Sequence, residues 1–159
     1  MDAQVARLRG PSEPYIQMQL GNACAFGHYV AVDPAEAVRF WQLATEKNNS
    51  EAIFRLGLAL RAGQGIAADA AAARARLRAA GELGHNQAPR ALGGMLRGGE
   101  GDAADPVEAF AYLDPAHRRG VGAATALRNR LSAGFDAETK ARAAARAAEL
   151  PTAPPRPVR

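Results

Sequence analysis

Residues 32–41 read VDPAEAVRFW, and residues 104–113 read ADPVEAFAYL. Midway between them, residues 68–77 read ADAAAARARL, which keeps the aspartate and the alanine spacing but loses the proline and the aromatic residues. The aspartates of the three stretches are 36 residues apart: Asp33, Asp69 and Asp105. A fixed period of this length is typical of repeat proteins, in which each repeat is one small supersecondary unit.

The repeated stretch has the composition of a helix N-terminus. Asp33 suits the N-cap and Pro34 the first helical position, while Glu36 stands where its side chain can bond back to the cap amide and complete a capping box. Residues 105–108 repeat this pattern in full, but Asp69 keeps only the aspartate. We therefore expect a helix after each aspartate and the weakest cap at Asp69.

Apolar residues follow each cap at i, i+4 and i+7, which is one buried face of a helix. These stripes are Ala37, Trp41 and Ala44; Ala73, Leu77 and Ala80; and Ala109, Leu113 and Ala116. Each helix then meets a residue type that accepts the left-handed conformation of a helix C-terminus, namely Asn48, Gly84 or Gly120. Pro115 is expected to bend or shorten the third of these helices.

A second, upstream helix is indicated in each repeat by a recurring Leu-Gly pair. The pairs are Leu20-Gly21, Leu56-Gly57 and Leu92-Gly93, each preceded at i−4 by an apolar residue, Ile16, Ala52 or Ala88. Glycine inside a helix costs about 1 kcal/mol relative to alanine, so its recurrence predicts a partner helix too close for a side chain. Turn glycines separate the two helices at Gly63 and Gly65 and at Gly99 and Gly101, with Gly27 and Tyr29 as a degenerate copy.

Composition favours a helical core and indicates the cellular compartment of the protein. Hydrophobic residues make up 48% of the 159-residue chain but aromatic residues only 6%, so the core consists mainly of alanine and leucine. No apolar stretch approaches the roughly 18 residues that a membrane span needs, and the first ten residues lack the apolar region of a secretory signal. One cysteine, Cys24, cannot form an internal disulfide. We therefore expect a cytoplasmic protein with no membrane partner.

The net charge of +4 raises the question of nucleic-acid binding. Residues 1–10 carry +1 and residues 151–159 carry +2, which leaves +1 for residues 11–150. The repeats are thus nearly neutral, and a broad phosphate-binding face is not indicated. A weak nucleic-acid interaction through the basic tails remains a third possibility for function.

The combined pattern of Ala-x3-Leu-Gly, Gly-x-Gly, Asp, Ala-x3-Trp/Leu-x2-Ala and Gly resembles the Sel1-like repeat family, which is related to the tetratricopeptide repeats. The resemblance implies an all-α, right-handed solenoid of antiparallel helix pairs. Its expected divisions are an N-terminal segment 1–12, repeats at about 13–48, 49–84 and 85–120, a capping helix pair at 121–150, and a mobile proline-rich tail at 151–159. The polar face of the last helix would be solvated, as the end of a repeat stack requires.

The resemblance also implies a non-catalytic adaptor or scaffold, of bacterial origin, that holds a peptide or a partner domain on its concave side. By analogy with tetratricopeptide relatives, one face of the first helices lines that groove. Its residues with binding chemistry are Phe54, Leu58, Arg61, Arg90, Arg97 and Arg130. Arginines around an apolar anchor suit an acidic protein or peptide partner. The alternative is that arginine simply keeps this protein soluble.

Side chains with catalytic or metal-binding chemistry are few and scattered. Cys24 replaces a leucine of the other repeats, which indicates a core residue, although His28 lies one helical turn away. His28, His85 and His117 occupy unrelated repeat positions, which favours solvated surface sites over a metal site. The sequence predicts no catalytic residue, metal or cofactor. A small enzyme or the regulatory subunit of an enzyme is the alternative function.

Overall fold

The computed structural model describes residues 14–101 and 104–150, and this part of the chain contains eight α-helices and no strand. In chain order the helices are α1 (Pro14–Phe26), α2 (Pro34–Thr45), α3 (Ser50–Ala62), α4 (Ala70–Glu82), α5 (Ala88–Gly98), α6 (Pro106–Arg118), α7 (Gly122–Ser132) and α8 (Ala137–Glu149). The expected all-α repeat fold is confirmed. The predicted segment 1–12 and tail 151–159 lie outside the described residues.

The chain divides into two compact units, and the boundary falls between Arg76 and Leu77, within α4. In the first unit α2 packs against both α1 and α3. In the second unit α6 packs against α5, α7 and α8, and α5 also contacts α7. No helix of the described ranges is both long and apolar enough to cross a membrane.

The three predicted aspartate caps all form. In each, a carboxylate oxygen accepts a hydrogen bond from the backbone amide three residues later. The pairs are Asp33 with Glu36 (3.0 Å), Asp69 with Ala72 (2.9 Å) and Asp105 with Glu108 (2.9 Å). The three helix starts are therefore equivalent in geometry, whether or not a proline and a glutamate follow.

The cap amides, which a capping box would pair with a glutamate, bond to the preceding helix. Each aspartate N–H donates to a carbonyl near the end of that helix. The pairs are Asp33 with Cys24, Asp69 with Leu60 and Asp105 with Leu96, each 2.9 Å. Since no glutamate is needed to satisfy these amides, the physical reason for a weaker cap at Asp69 disappears.

The second-helix stripes are confirmed as the core: their members in α2, α4 and α6 are at most 7% exposed. In the second unit, Leu113 and Ala116 form a buried cluster with Ala124 of α7. The apolar stripe of the first helices is buried in α3 and α5, but Ile16 of α1 is 41% exposed. No described helix precedes α1 to cover the side of the helix on which Ile16 lies.

Close approach of helices explains the recurring glycine of the first helices. A Cβ atom on Gly21 would lie 2.5 Å from Cδ1 and Nε1 of Trp41, and one on Gly93 would lie 2.9 Å from Cγ of Leu113. Trp41 is held in this position by its indole N–H, which donates to Oδ1 of Asn22 at 3.1 Å. The predicted steric reason for glycine is confirmed at these two positions.

The turn positions behave as expected, and one of them carries a large side chain. The turn glycines have positive φ angles, and Tyr29 takes the same left-handed conformation with a φ of 64°. Its side chain is fully exposed, so the strain comes from the backbone alone.

Pro115 lies inside α6, which continues beyond it to Arg118. The proline therefore does not shorten the helix.

We predict that Asp33→Ala, Asp69→Ala and Asp105→Ala each lower the free energy of unfolding by about 1 kcal/mol, the usual value of an N-cap bond. Urea denaturation followed by circular dichroism at 222 nm measures the effect. A clearly smaller loss for Asp69→Ala than for the other two variants would contradict the equivalence of the caps.

We also predict opposite effects of two glycine-to-alanine changes inside helices. Gly21→Ala should destabilise the protein by about 1–3 kcal/mol, because the new methyl group overlaps the Trp41 ring. Gly94→Ala should stabilise it by roughly 0.5–1 kcal/mol, because a Cβ there meets no atom within 4 Å. The same denaturation experiment compares them, and equal signs would refute the role of packing.

Candidate partner-binding surface

The exposed side of α5 brings two of the predicted site arginines together. Arg90, Gly94 and Arg97 are spaced i, i+4 and i+7, so they share one face of the helix, and both arginines are exposed. A Cβ on Gly94 would have nothing within 4 Å. We call these three residues the α5 arginine face: two cationic side chains with bare helix backbone between them.

The opposite side of α5 fixes the orientation of this face. Leu92, Met95 and Leu96 are at most 1% exposed, so the helix cannot rotate without exposing them. At its N-terminus, Nδ1 of His85 accepts hydrogen bonds from the amides of Gln87 (3.3 Å) and Ala88 (3.2 Å). The helix therefore presents its arginines from a rigid support.

His85 corrects the prediction that all three histidines are solvated. Its side chain is buried, at 6% exposure, because it satisfies the first amides of α5. His117 is half-buried, with Nδ1 2.9 Å from the hydroxyl oxygen of Thr125, whereas His28 is exposed. Sequence reasoning missed the role of His85 because a histidine acting as a helix cap has no spacing that distinguishes it.

The remaining predicted site residues have different environments. Arg130 is exposed on α7, the helix that packs against α5. In the first unit, Arg61 is exposed and Leu58 is half-buried. Phe54 is only 4% exposed, so its prediction as a surface anchor is wrong. The aromatic side chain packs into the core, and the exposed positions of α3 lie elsewhere on the helix.

Beside Phe54, the structure reveals an arginine that sequence reasoning missed. The guanidinium carbon of Arg55 lies 5.3 Å from the ring centroid of Phe26 and 6.0 Å from that of Phe54. Its Nε donates to Oε1 of Glu51 at 2.7 Å. Arg55 is therefore held by aromatic and ionic contacts within the first unit.

A buried carboxylate organises the charges of the second unit. Asp114, at 4% exposure, accepts a hydrogen bond from Nε of Arg128 (2.8 Å) and forms an ion pair with Nη2 of Arg118 (2.7 Å). The Arg128 guanidinium also lies 4.4 Å from the ring centroid of Phe110. This arrangement joins α6 to α7, and its paired charges indicate a structural role.

The last helix is tied to α6 by a bidentate ion pair. Nε and Nη2 of Arg146 contact the two carboxylate oxygens of Glu108 at 2.7 and 3.0 Å, and Nη1 reaches Glu149 at 3.0 Å. The hydrogen bonds that its guanidinium donates to Glu108 and Glu149 raise the pKa of Arg146 above its usual value. The sequence predicts a solvated face for Arg146; the side chain instead fixes α8 to the third repeat.

The thiol of Cys24 lies in the core of the first unit. Burial raises its pKa, and the nearby carboxylates of Glu36 and Asp33 raise it further, so the thiol stays protonated at neutral pH. A thiol in this state is a poor nucleophile. Among the described residues, no group of three or more Cys, His, Asp or Glu side chains could hold a metal ion.

Comparisons with known proteins agree with the all-α repeat fold. A model of the Sel1 repeat matches residues 14–49, 50–85 and 90–121. A protective antigen of uropathogenic Escherichia coli with an SLR fold is 28% identical, with a TM-score of 0.77. A Sel1 repeat protein from Oxalobacter formigenes is 25% identical, with a TM-score of 0.72.

Each of these structural similarities covers 86% of the present chain, which spans 29% of the length of the Escherichia coli protein and 57% of that of the Oxalobacter protein. No protein of curated function matches the sequence significantly. The matched repeats extend over more than half of the chain and coincide with the observed helix pairs. The chain belongs to the Sel1 repeat family.

Proposed function

We propose that this chain is a non-catalytic interaction module that binds an acidic segment of a protein partner on the α5 arginine face. Sel1 repeat proteins generally mediate protein–protein interactions. The observation that carries the proposal is the pair of exposed arginines with open space above Gly94. Leu58, Arg61 and Arg130 stay predictions for further contacts with the partner.

The charge of α5 supports an acidic partner. Its sequence, APRALGGMLRG, contains two arginines and no acidic residue, so no carboxylate of its own helix competes for Arg90 or Arg97. Guanidinium groups bind carboxylates in a bidentate geometry that favours aspartate and glutamate side chains. Two such contacts on one rigid face discriminate strongly against a basic partner.

The bare backbone at Gly94 supports an extended or helical segment lying close to α5. Glycine is unfavourable in a helix, and here no neighbouring atom requires it, unlike at Gly93. A long side chain at this position would keep a partner at a distance from the helix backbone. We infer that Gly94 is tolerated because it leaves room for the bound segment.

The enzymatic alternative has less support than the interaction module. The described residues contain a protonated, buried thiol and histidines engaged in structural or exposed positions, rather than a nucleophile with a base. Nucleic-acid binding would use the two basic tails, which lie outside the described residues. A role as an adaptor, a cytoplasmic location and a bacterial origin stay predictions.

We predict that Arg90→Glu/Arg97→Glu abolishes partner capture, because losing two charge-assisted contacts costs about 3 kcal/mol, or roughly a hundredfold in affinity. Gly94→Gln should also weaken capture while raising the melting temperature. The measurement is a pull-down with the intact chain, with the proteins bound by the parent quantified by mass spectrometry. Circular dichroism verifies that helicity is retained.

Lys140→Glu/Arg142→Glu is the matched control, because it makes the same charge change at exposed positions of α8. It should retain the partners of the parent. Retention of all partners by Arg90→Glu/Arg97→Glu would remove the α5 arginine face from the proposal. Loss in the control alone would place the binding site on α8.

Cys24 provides a test of the enzymatic alternative. Because its thiol is buried and its pKa is raised, alkylation by iodoacetamide at pH 7.5 should be at least about tenfold slower in the native chain than in urea. Mass spectrometry of the quenched reaction measures the rates. A native thiol that reacts as fast as the unfolded one would revive a nucleophilic role for Cys24.

A further inference from the structure

One repeat position is buried in the described first helices except in α1. Ala52, Ala88 and Ala124 stand 36 residues apart in α3, α5 and α7, and each is 0% exposed. Ile16 holds the same position in α1 and is 41% exposed. The helices α3 and α7 pack against the helix that precedes them, α2 or α6, whereas no described helix precedes α1. An isoleucine is therefore open to solvent at a position that the repeat otherwise buries.

The second unit shows which side chains cover this position. Leu113 and Ala116 of α6 form a buried cluster with Ala124 of α7, and all three are 0% exposed. Three repeat periods earlier in the sequence, the same three positions hold Val5, Leu8 and Ile16. Two apolar side chains of the first 12 residues thus stand where the repeat places the cover of its next helix.

The sequence before α1 has the pattern that such a cover requires. Met1, Val5 and Leu8 have the i, i+4, i+7 spacing of the buried stripes in α2, α4 and α6, and they lie 36 residues before the stripe of α2. Gly10 and Pro11 follow as a signal for a turn. Leu8 and Ile16 are eight residues apart, as are Ala116 and Ala124, so the connection has the required length.

The helix α2 provides a second wall for this segment. One of its faces lines an open depression with about 360 Å³ of space, and the half-buried Leu43 is part of the lining. In the second unit the equivalent residue, Pro115 of α6, lines a depression together with Leu77 of the preceding second helix. The residue that corresponds to Leu77 two periods earlier is Val5. A segment that covers Ile16 would therefore also run beside Leu43.

The charges of the two sides are complementary. The depression on α2 is lined by two carboxylates and one guanidinium group, those of Glu36, Glu46 and Arg39. Residues 5–9 read VARLR, with two arginines and no acidic residue. Opposite net charge on the two surfaces favours their association.

We propose that residues 1–12 form the second helix of a preceding repeat and cover α1, with Val5 and Leu8 packed on Ile16. The segment is joined directly to α1, so its effective concentration at this face far exceeds that of a separate protein. Contacts between neighbouring repeats supply much of the stability of a repeat array. This side of the first unit is then an internal contact, and it is closed to partners.

The test uses the full chain with ¹³C-labelled methyl groups of isoleucine, leucine and valine. Ile16 is one of three isoleucines, so the variant Ile16→Val assigns its δ1 methyl resonance. We expect nuclear Overhauser contacts from this methyl group to those of Leu8 or Val5. If Ile16 shows no contact with either residue, the proposal is wrong.

A sample that mixes ¹³C-labelled and unlabelled chains identifies the source of the contacts. Contacts of Ile16 within one chain would support the proposal. Contacts with Leu8 or Val5 that arise only between a labelled and an unlabelled chain would show that a second copy covers α1, and they would overturn the proposed attachment within one chain.

Val5→Asp/Leu8→Asp tests whether the contact stabilises α1. The amides of α1 should exchange their hydrogens at least about tenfold faster than in the parent, because an apolar contact of this size is lost. The exchange of α6 amides should not change, which verifies that the second unit stays folded. Parental exchange rates in α1 would count against the contact.

Ala3→Asp/Ala6→Asp is the matched control, with the same charge change and the same spacing. The residues one period later, Arg39 and Gln42, are exposed, so the new carboxylates should point away from α1. The control should exchange like the parent. If it speeds the exchange of α1 as much as Val5→Asp/Leu8→Asp does, the effect comes from charge alone and the packing of Val5 and Leu8 is refuted.

Discussion

Each repeat depends on one aspartate that bonds to both of its helices. The backbone N–H of Asp33, Asp69 or Asp105 donates to a carbonyl near the end of the first helix, and its carboxylate accepts from an amide in the first turn of the second. Moving this residue by one position would break both bonds together. The aspartate therefore fixes where the second helix of each repeat begins relative to the end of the first.

The corner fixes how the helices of a pair meet, and small residues determine how closely they pack. Gly21 faces Trp41 and Gly93 faces Leu113 at distances that leave no room for a methyl group. Alanines complete the interfaces in all three repeats, which explains how a chain with few aromatic residues still buries its core. A narrow core of this kind leaves the outer helix faces unconstrained, and there the repeats differ from one another.

The features that recur at the repeat period could be predicted from the sequence, because each occurrence supports the others. Caps, turn glycines and buried stripes belong to this class. Predictions that assumed equal environments at equivalent positions were less successful. Met18, Phe54 and Arg90 stand 36 residues apart, yet the first two are buried and the third is exposed. The period identifies equivalent backbone positions, but it does not determine which side chains a neighbour covers.

Contacts that join residues without a fixed spacing could not be predicted at all. Arg146 reaches Glu108 across 38 residues, and Arg128 reaches Asp114 across 14. Either arginine could have been solvated on sequence grounds, since a long side chain has many surface rotamers. The partner is decided by helix packing, which places α7 and α8 against α6. These ion pairs make the third repeat the attachment point of the end helices.

The third repeat also departs from the pattern of the others on the surface for which we propose binding. Arg90 replaces the buried residue of its column, and Gly94 has no packing requirement. The shared architecture of the repeats does not need these residues, because the caps and core stripes form equally well in the repeats that lack them. Side chains that the fold does not require, clustered on one well-supported repeat, are the ones best placed to recognise a partner. Attaching α7 and α8 to this repeat holds the α5 arginine face rigid, which reduces the entropy lost on binding.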